Sequence, residues 1–118
     1  MPRDWEARFR DFLRSRVPEQ YWGRIDEFMG FISELVARLN TESSEVRVRH
    51  ARSLNVLLSE FDDSVGDRAK LNAFYAFLVF KGYASAYSLL KSGLVAGGES
   101  IYTWLRLYRD LMSSEAKP

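Results

Sequence analysis

The chain contains no cysteine and a single histidine, His50. Without thiols there are no disulfides and no thiolate metal sites, so stability has to come from packing, and the composition suits a cytosolic or nuclear setting. One histidine without cysteine also cannot furnish an ordinary zinc site. Long apolar runs are lacking as well. None approaches the roughly 20 residues that cross a bilayer, and Arg3, Asp4, Glu6 and Arg8 stand at the amino end, where a secretion signal needs an apolar block. The expectation is a soluble, unsecreted protein with no membrane partner, cytoplasmic, or nuclear or virion-associated in a eukaryotic or viral setting. Sustained alternation of apolar and polar residues is missing, and so is any fixed-period repeat, which leaves helices as the secondary structure.

At 118 residues the chain has the size of one domain able to bury its own core. Trp5, Phe9, Phe12 and Leu13 define a first amphipathic helix. Pro18 and Glu19 mark a second start, followed by Tyr21, Ile25, Phe28, Ile32, Leu35 and Leu39 at steps of three and four. Gly23 and Gly30 interrupt that stripe, an arrangement expected where another backbone packs closely. After the polar break "NTESS", Val46, Ala51, Leu54, Leu57, Leu58 and Phe61 form a third face. Ser64 and Asp67 fit a capping box that opens a fourth helix over about 66–81, ended by Gly82 in a left-handed cap. Ala86, Tyr87, Leu89 and Leu90 suggest a short fifth helix, "GLVAGGES" a loop, and Ile101, Trp104, Leu105, Tyr108, Leu111 and Met112 a sixth, with 113–118 a frayed tail.

The fourth helix is apolar on every side: "FYAFLVFKGY" carries no charge between Lys70 and Lys81. Such a helix is normally the one its neighbours wrap. The resulting expectation is an all-α fold, a compact bundle of five or six short helices around a central apolar helix, in one domain spanning 1–118. Should its side chains exceed what short neighbours can cover, Phe77 or Phe80 would form a patch for a second copy or a partner protein.

Catalytic constellations are sparse. His50 lies within a basic turn without an orienting acid, so it suits contact with solvent or phosphate better than general-base work. "GLVAGGES" lacks the lysine and threonine of a phosphate-binding loop and follows no strand. Glu60, Asp62, Asp63 and Asp67 lack the spacing and turn glycine of a calcium loop. The chain is expected to be non-enzymatic, with no cofactor and no metal.

Cations are what remains. Thirteen of the seventeen basic residues are arginine, and 68–118 hold seven basic side chains against three acidic ones, whereas 1–67 hold ten against thirteen. Arg47, Arg49, His50 and Arg52 put four potential donors within six residues, and Arg68, Lys70 and Lys81 flank the fourth helix. Guanidinium groups suit bidentate capture of phosphate. The competing expectation is that these cations simply pair at the surface with Glu42, Glu45 and Asp63, for at most about 1 kcal/mol each.

"RAKLNAFYAFLVFKGY", residues 68–83, resembles the fourth-helix signature of the core-binding, SAM-like domain of tyrosine recombinases and phage integrases. Arg68, Leu71, Phe74, Tyr75, Phe77, Leu78 and Gly82 occupy the positions that carry the likeness. "YWGRIDEFMGFISEL" is similar to that family's second helix and "FRDFL" to its opening one, so the resemblance spans roughly residues 9–83. It implies a domain that clamps duplex DNA, with Arg24 and Arg38 on the second helix and Arg68, Lys70 and Lys81 around the fourth facing the phosphates. The chain departs from the family in having no catalytic domain after these helices, which leaves Tyr102 and Tyr108 without catalytic company. Two other classes stay open: a protein-interaction module of HEAT-type or PCI-type helix pairs, with "EVRVRHARSLNVLL" packing on the following helix, and a small helical subunit of a nucleoprotein assembly.

Overall fold

A computed structural model describes residues 4–58, 64–95 and 99–113, and the side chains of 6–53, 67–95 and 101–113. The described residues are helical and contain no strand: α1 (Asp4–Arg16), a 3-10 segment (Glu19–Arg24), α2 (Ile25–Thr41), α3 (Ser44–Leu58), α4 (Ser64–Phe80), α5 (Ala86–Lys91) and α6 (Glu99–Ser113). The all-α expectation holds. The chain packs as two compact units, Met1–Leu71 and Asn72–Pro118, and the division falls inside α4. Of the tail expected at 113–118, Ser113 belongs to α6 and 114–118 lie outside the described residues, as do the side chains of Trp5, Leu54, Leu57, Leu58, Phe61 and Ser64.

In the first unit, α1 stops one residue short of the residue preceding Pro18, because a proline ring crowds its predecessor out of the helical region. Pro18 then opens the 3-10 segment, its carbonyl accepting from the Tyr21 amide at 3.0 Å, and the Trp22 indole donates back to the Val17 carbonyl at 3.0 Å. The helix expected to run from Pro18 is thus a 3-10 turn followed by α2. Ile25, Phe28, Ile32, Leu35 and Leu39 are all buried, as their spacing requires, and Met29 and Phe31 widen the stripe. Phe9 meets Phe28 edge-to-face with centroids 5.7 Å apart, and Arg10 closes the same contact with a 2.7 Å ion pair to Asp26, so α1 lies on α2. α3 also packs on α2, its start held by Ser43, whose hydroxyl accepts from the Val46 amide at 3.4 Å.

Gly23 and Gly30 do not mark a close approach. A Cβ at either would meet nothing within 4 Å, so the backbone packing expected at these positions is absent.

Residues 72–78 of α4 explain the all-round apolar helix. Seven consecutive side chains from Asn72 to Leu78 are at most 7% exposed, and seven successive residues pass around the helix almost twice, so every face is covered. Tyr108 of α6 packs against Phe80 at 5.8 Å and sends its hydroxyl proton to the Ala73 carbonyl at 2.5 Å. That carbonyl belongs to a helix interior and already serves its own ladder, so the phenol uses its second lone pair. Burial pushes the Tyr108 phenol well above its ordinary value of 10.0.

Gly82 ends α4 as its position foretells. At φ 81° it lets the Tyr83 amide reach the Leu78 carbonyl at 2.8 Å while its own amide reaches Val79 at 3.0 Å. The motif recurs one helix later, where Gly93 at φ 81° sends the Leu94 amide to the Leu89 carbonyl at 3.0 Å. Ser85 caps α5 by accepting from the Ser88 amide at 3.0 Å. α6 buries Ile101, Trp104, Leu105, Leu107, Tyr108 and Leu111.

Candidate nucleic-acid interface

Nine residues are expected to meet phosphate, and the structure separates them into three groups. Two are enclosed. Lys70 is fully buried and His50 is 5% exposed, so neither side chain is presented to a ligand at the surface, and both expectations are corrected. Both residues occupy inward positions of their helices: His50 lies four residues after the half-buried Val46, and Lys70 lies four before Phe74 and seven before Phe77. The spacing of these apolar partners is the signal that would have found them.

A second group is exposed or half-exposed beside acids. Arg38 holds Glu34 with two donors, at 3.1 and 2.8 Å, one turn away on α2. Arg24 lies 3.4 Å from Glu27, and Arg49 lies 3.7 Å from Glu45. Arg47 turns to the backbone instead, donating to the Glu42 carbonyl at 3.1 Å. Of the pairs foreseen for α3, the structure forms the one to the Glu45 carboxylate, whereas Glu42 meets Arg47 through its backbone carbonyl and Asp63 lies outside the described residues. Such surface pairs contribute about 0.2–1 kcal/mol and yield readily to a stronger anion.

The third group is exposed. Arg52 and Arg68 are exposed with no described carboxylate within 4 Å, and Lys81 is exposed at the end of α4. Arg47, Arg49 and Arg52 all lie on the solvent side of α3, together with Val48, which is 78% exposed. Eight of the nine residues belong to the first unit and Lys81 to the second.

The aromatic patch foreseen for a partner protein is also corrected. Phe77 is fully buried, stacked near Phe74 at 6.4 Å and edge-on to Tyr83 at 6.3 Å, and Phe80 is half-buried against Tyr108. These rings are core. The exposed large apolar side chains lie elsewhere, at Trp22, Val48, Tyr83, Tyr87, Leu90 and Tyr102.

Asp67 takes part in the surface of the first unit through Arg16, whose guanidinium stands 3.6 Å from Asp67 and 5.0 Å above the Phe12 ring. Ser64, its expected capping partner, lies outside the described side chains. Among the described residues no three histidine, aspartate or glutamate side chains are placed to hold a metal ion, and no helix is long and apolar enough to cross a membrane. The chain matches no family model, no curated protein and no solved structure.

Proposed function

We propose that this chain is a non-catalytic helical module that binds the phosphate backbone of duplex DNA, in the manner of the core-binding clamp that its second and fourth helices resemble. The observation that carries the reading is the outer face of α3. There Arg47, Arg49 and Arg52 are all exposed, with Arg49 lying 3.7 Å from Glu45. Arg68 on α4 adds an open guanidinium to the same unit. Each arginine can place two donors on a phosphate, and a duplex presents phosphates at a density no protein acid matches, so exchange of the Glu45 contact for phosphate is favourable. Contacts of this kind position a protein without reading bases. A cytoplasmic setting, or a nuclear or virion-associated one, accompanies this role.

The test is a titration of labelled duplex at two salt concentrations. Binding should weaken steeply with salt, and Arg52→Ala and Arg68→Ala should each reduce the salt slope by about 0.9 for every sequence tried. Both side chains are on the surface, so an unchanged circular-dichroism spectrum should accompany the loss. Absence of duplex binding at low salt overturns the proposal.

A further inference from the structure

Two tyrosines of the second unit lie in solvent, each with a cation four residues on: Tyr87 with Lys91 on α5, and Tyr102 with Arg106 on α6. Tyr87 is 71% exposed and Tyr102 57%, against 37% for Tyr83 and at most 2% for Tyr75 and Tyr108 in the same unit. The Lys91 ammonium stands 5.8 Å from the Tyr87 ring centroid, so cation and ring already share one surface. On α6, Arg109 follows Arg106 by three residues. Tyr102, Arg106 and Arg109 therefore form one stripe along the helix, with the arginines about 6 and 10 Å beyond the ring along the axis.

Among the described residues nothing neutralises this stripe. Both arginines are exposed, and among the described residues no carboxylate lies within 4 Å of either. Asp110, four residues after Arg106, is half-buried. On α2 and α3, by contrast, the acid one turn from Arg38 or Arg49 is engaged. A solvated helix face gains from such pairs. This one carries two cations and an aromatic plane in their place.

We propose that the second unit binds single-stranded nucleic acid, with bases stacking on Tyr102 and Tyr87 and phosphates held by Arg106, Arg109 and Lys91. An aromatic face accepts any unpaired base, and a neighbouring cation takes the phosphate beside it, which is the combination that sequence-tolerant single-strand binding uses. A duplex hides its base faces in the stack and would leave the two rings without a role. An acidic protein would satisfy the cations alone. The inference does not rest on the duplex reading, because it uses none of the residues of α3.

The experiment measures the anisotropy of a fluorescent oligothymidylate titrated with the full chain, with a duplex of equal length and polyglutamate as competitors. Binding of the single strand is expected, displaced by unlabelled oligothymidylate far better than by polyglutamate. The Arg106→Ala/Arg109→Ala pair should weaken it at least about ten-fold and lower the salt slope by about 1.4, that is 0.7 per phosphate. Tyr102→Ala should weaken it about five-fold or more, whereas Tyr102→Phe, which keeps the stacking plane, should leave it unchanged. Arg52→Ala and Arg68→Ala should have no effect here, so failure of the duplex reading and failure of this one are told apart. No binding at low salt, indifference to Tyr102→Ala, or equal displacement by polyglutamate would each overturn the inference, the last by pointing to an acidic protein partner.

Discussion

The first unit holds twelve of the seventeen basic residues but thirteen of the sixteen acidic ones, and its arginines spend much of their charge locally: Arg10 on Asp26, Arg24 on Glu27, Arg38 on Glu34, Arg49 on Glu45. The second unit holds five basic and three acidic residues, and there Arg106 and Arg109 have no described carboxylate in reach. Arginine density and available positive charge are therefore different quantities. On a helix, a carboxylate three or four residues from an arginine converts it from a ligand for phosphate into half of a surface pair. The unit with fewer cations leaves a larger share of them without a described carboxylate in reach, and it adds the exposed rings of Tyr87 and Tyr102.

That contrast concerns surfaces and not cores, and the largest predicted effects check this. Phe28→Ala in the first unit and Phe77→Ala in the second should each cost about 3–5 kcal/mol in denaturant unfolding, since both side chains are fully buried. A cost under about 1 kcal/mol at either site would mean that the two units differ in packing as well.

Next in size is the polar contact inside the second unit. Tyr108→Phe removes the donor to the Ala73 carbonyl and should cost about 1–2 kcal/mol. The same residue sets a pH dependence. The folded state holds the phenol neutral well above its ordinary value of 10.0, while the unfolded chain ionises there. Its contribution is therefore complete below about pH 10 and declines above it, by up to about 1.4 kcal/mol per pH unit. Alkaline unfolding should be less steep in Tyr108→Phe. An identical pH profile in the two proteins would show that the ring is not sealed in the fold.

A smaller effect of opposite sign belongs to the first unit. Gly30 lies within α2, exposed, with room for a methyl group, so Gly30→Ala should stabilise by up to about 1 kcal/mol in thermal unfolding. Destabilisation would restore the close backbone contact that the residue's place in the stripe suggested. The smallest effect sharpens the comparison itself. Glu34→Gln should cost no more than about 0.5 kcal/mol of stability, and by releasing Arg38 it should raise duplex affinity at low salt, moving the first unit toward the open state of the second. No gain in affinity would show that Arg38 faces away from bound DNA.

Much of this architecture was legible in the order of residues. The steps of three and four through Ile25, Phe28, Ile32, Leu35 and Leu39 gave α2 its buried face, and Gly82 placed the end of α4 because few other residues accept its positive φ. Gly93 repeats the device inside a stretch read only as the start of a loop. The candidate site was less legible. Lys70 and His50 read as surface cations by residue type, yet their helical phase matches the apolar stripes of α4 and α3, and both are buried. Arg106 and Arg109 stand among apolar residues in "WLRLYRDL", and the helical period of α6 is what aligns them with Tyr102.

The sequence by itself determined the helices, their caps and the apolar identity of α4, because these depend on interactions within a few residues of each position. The tertiary structure decided which cations are enclosed, which are neutralised and which stay open to a ligand. That distinction rests on what other segments bring within a few ångströms of each charge, and an ion's solvation and pairing are set by that company.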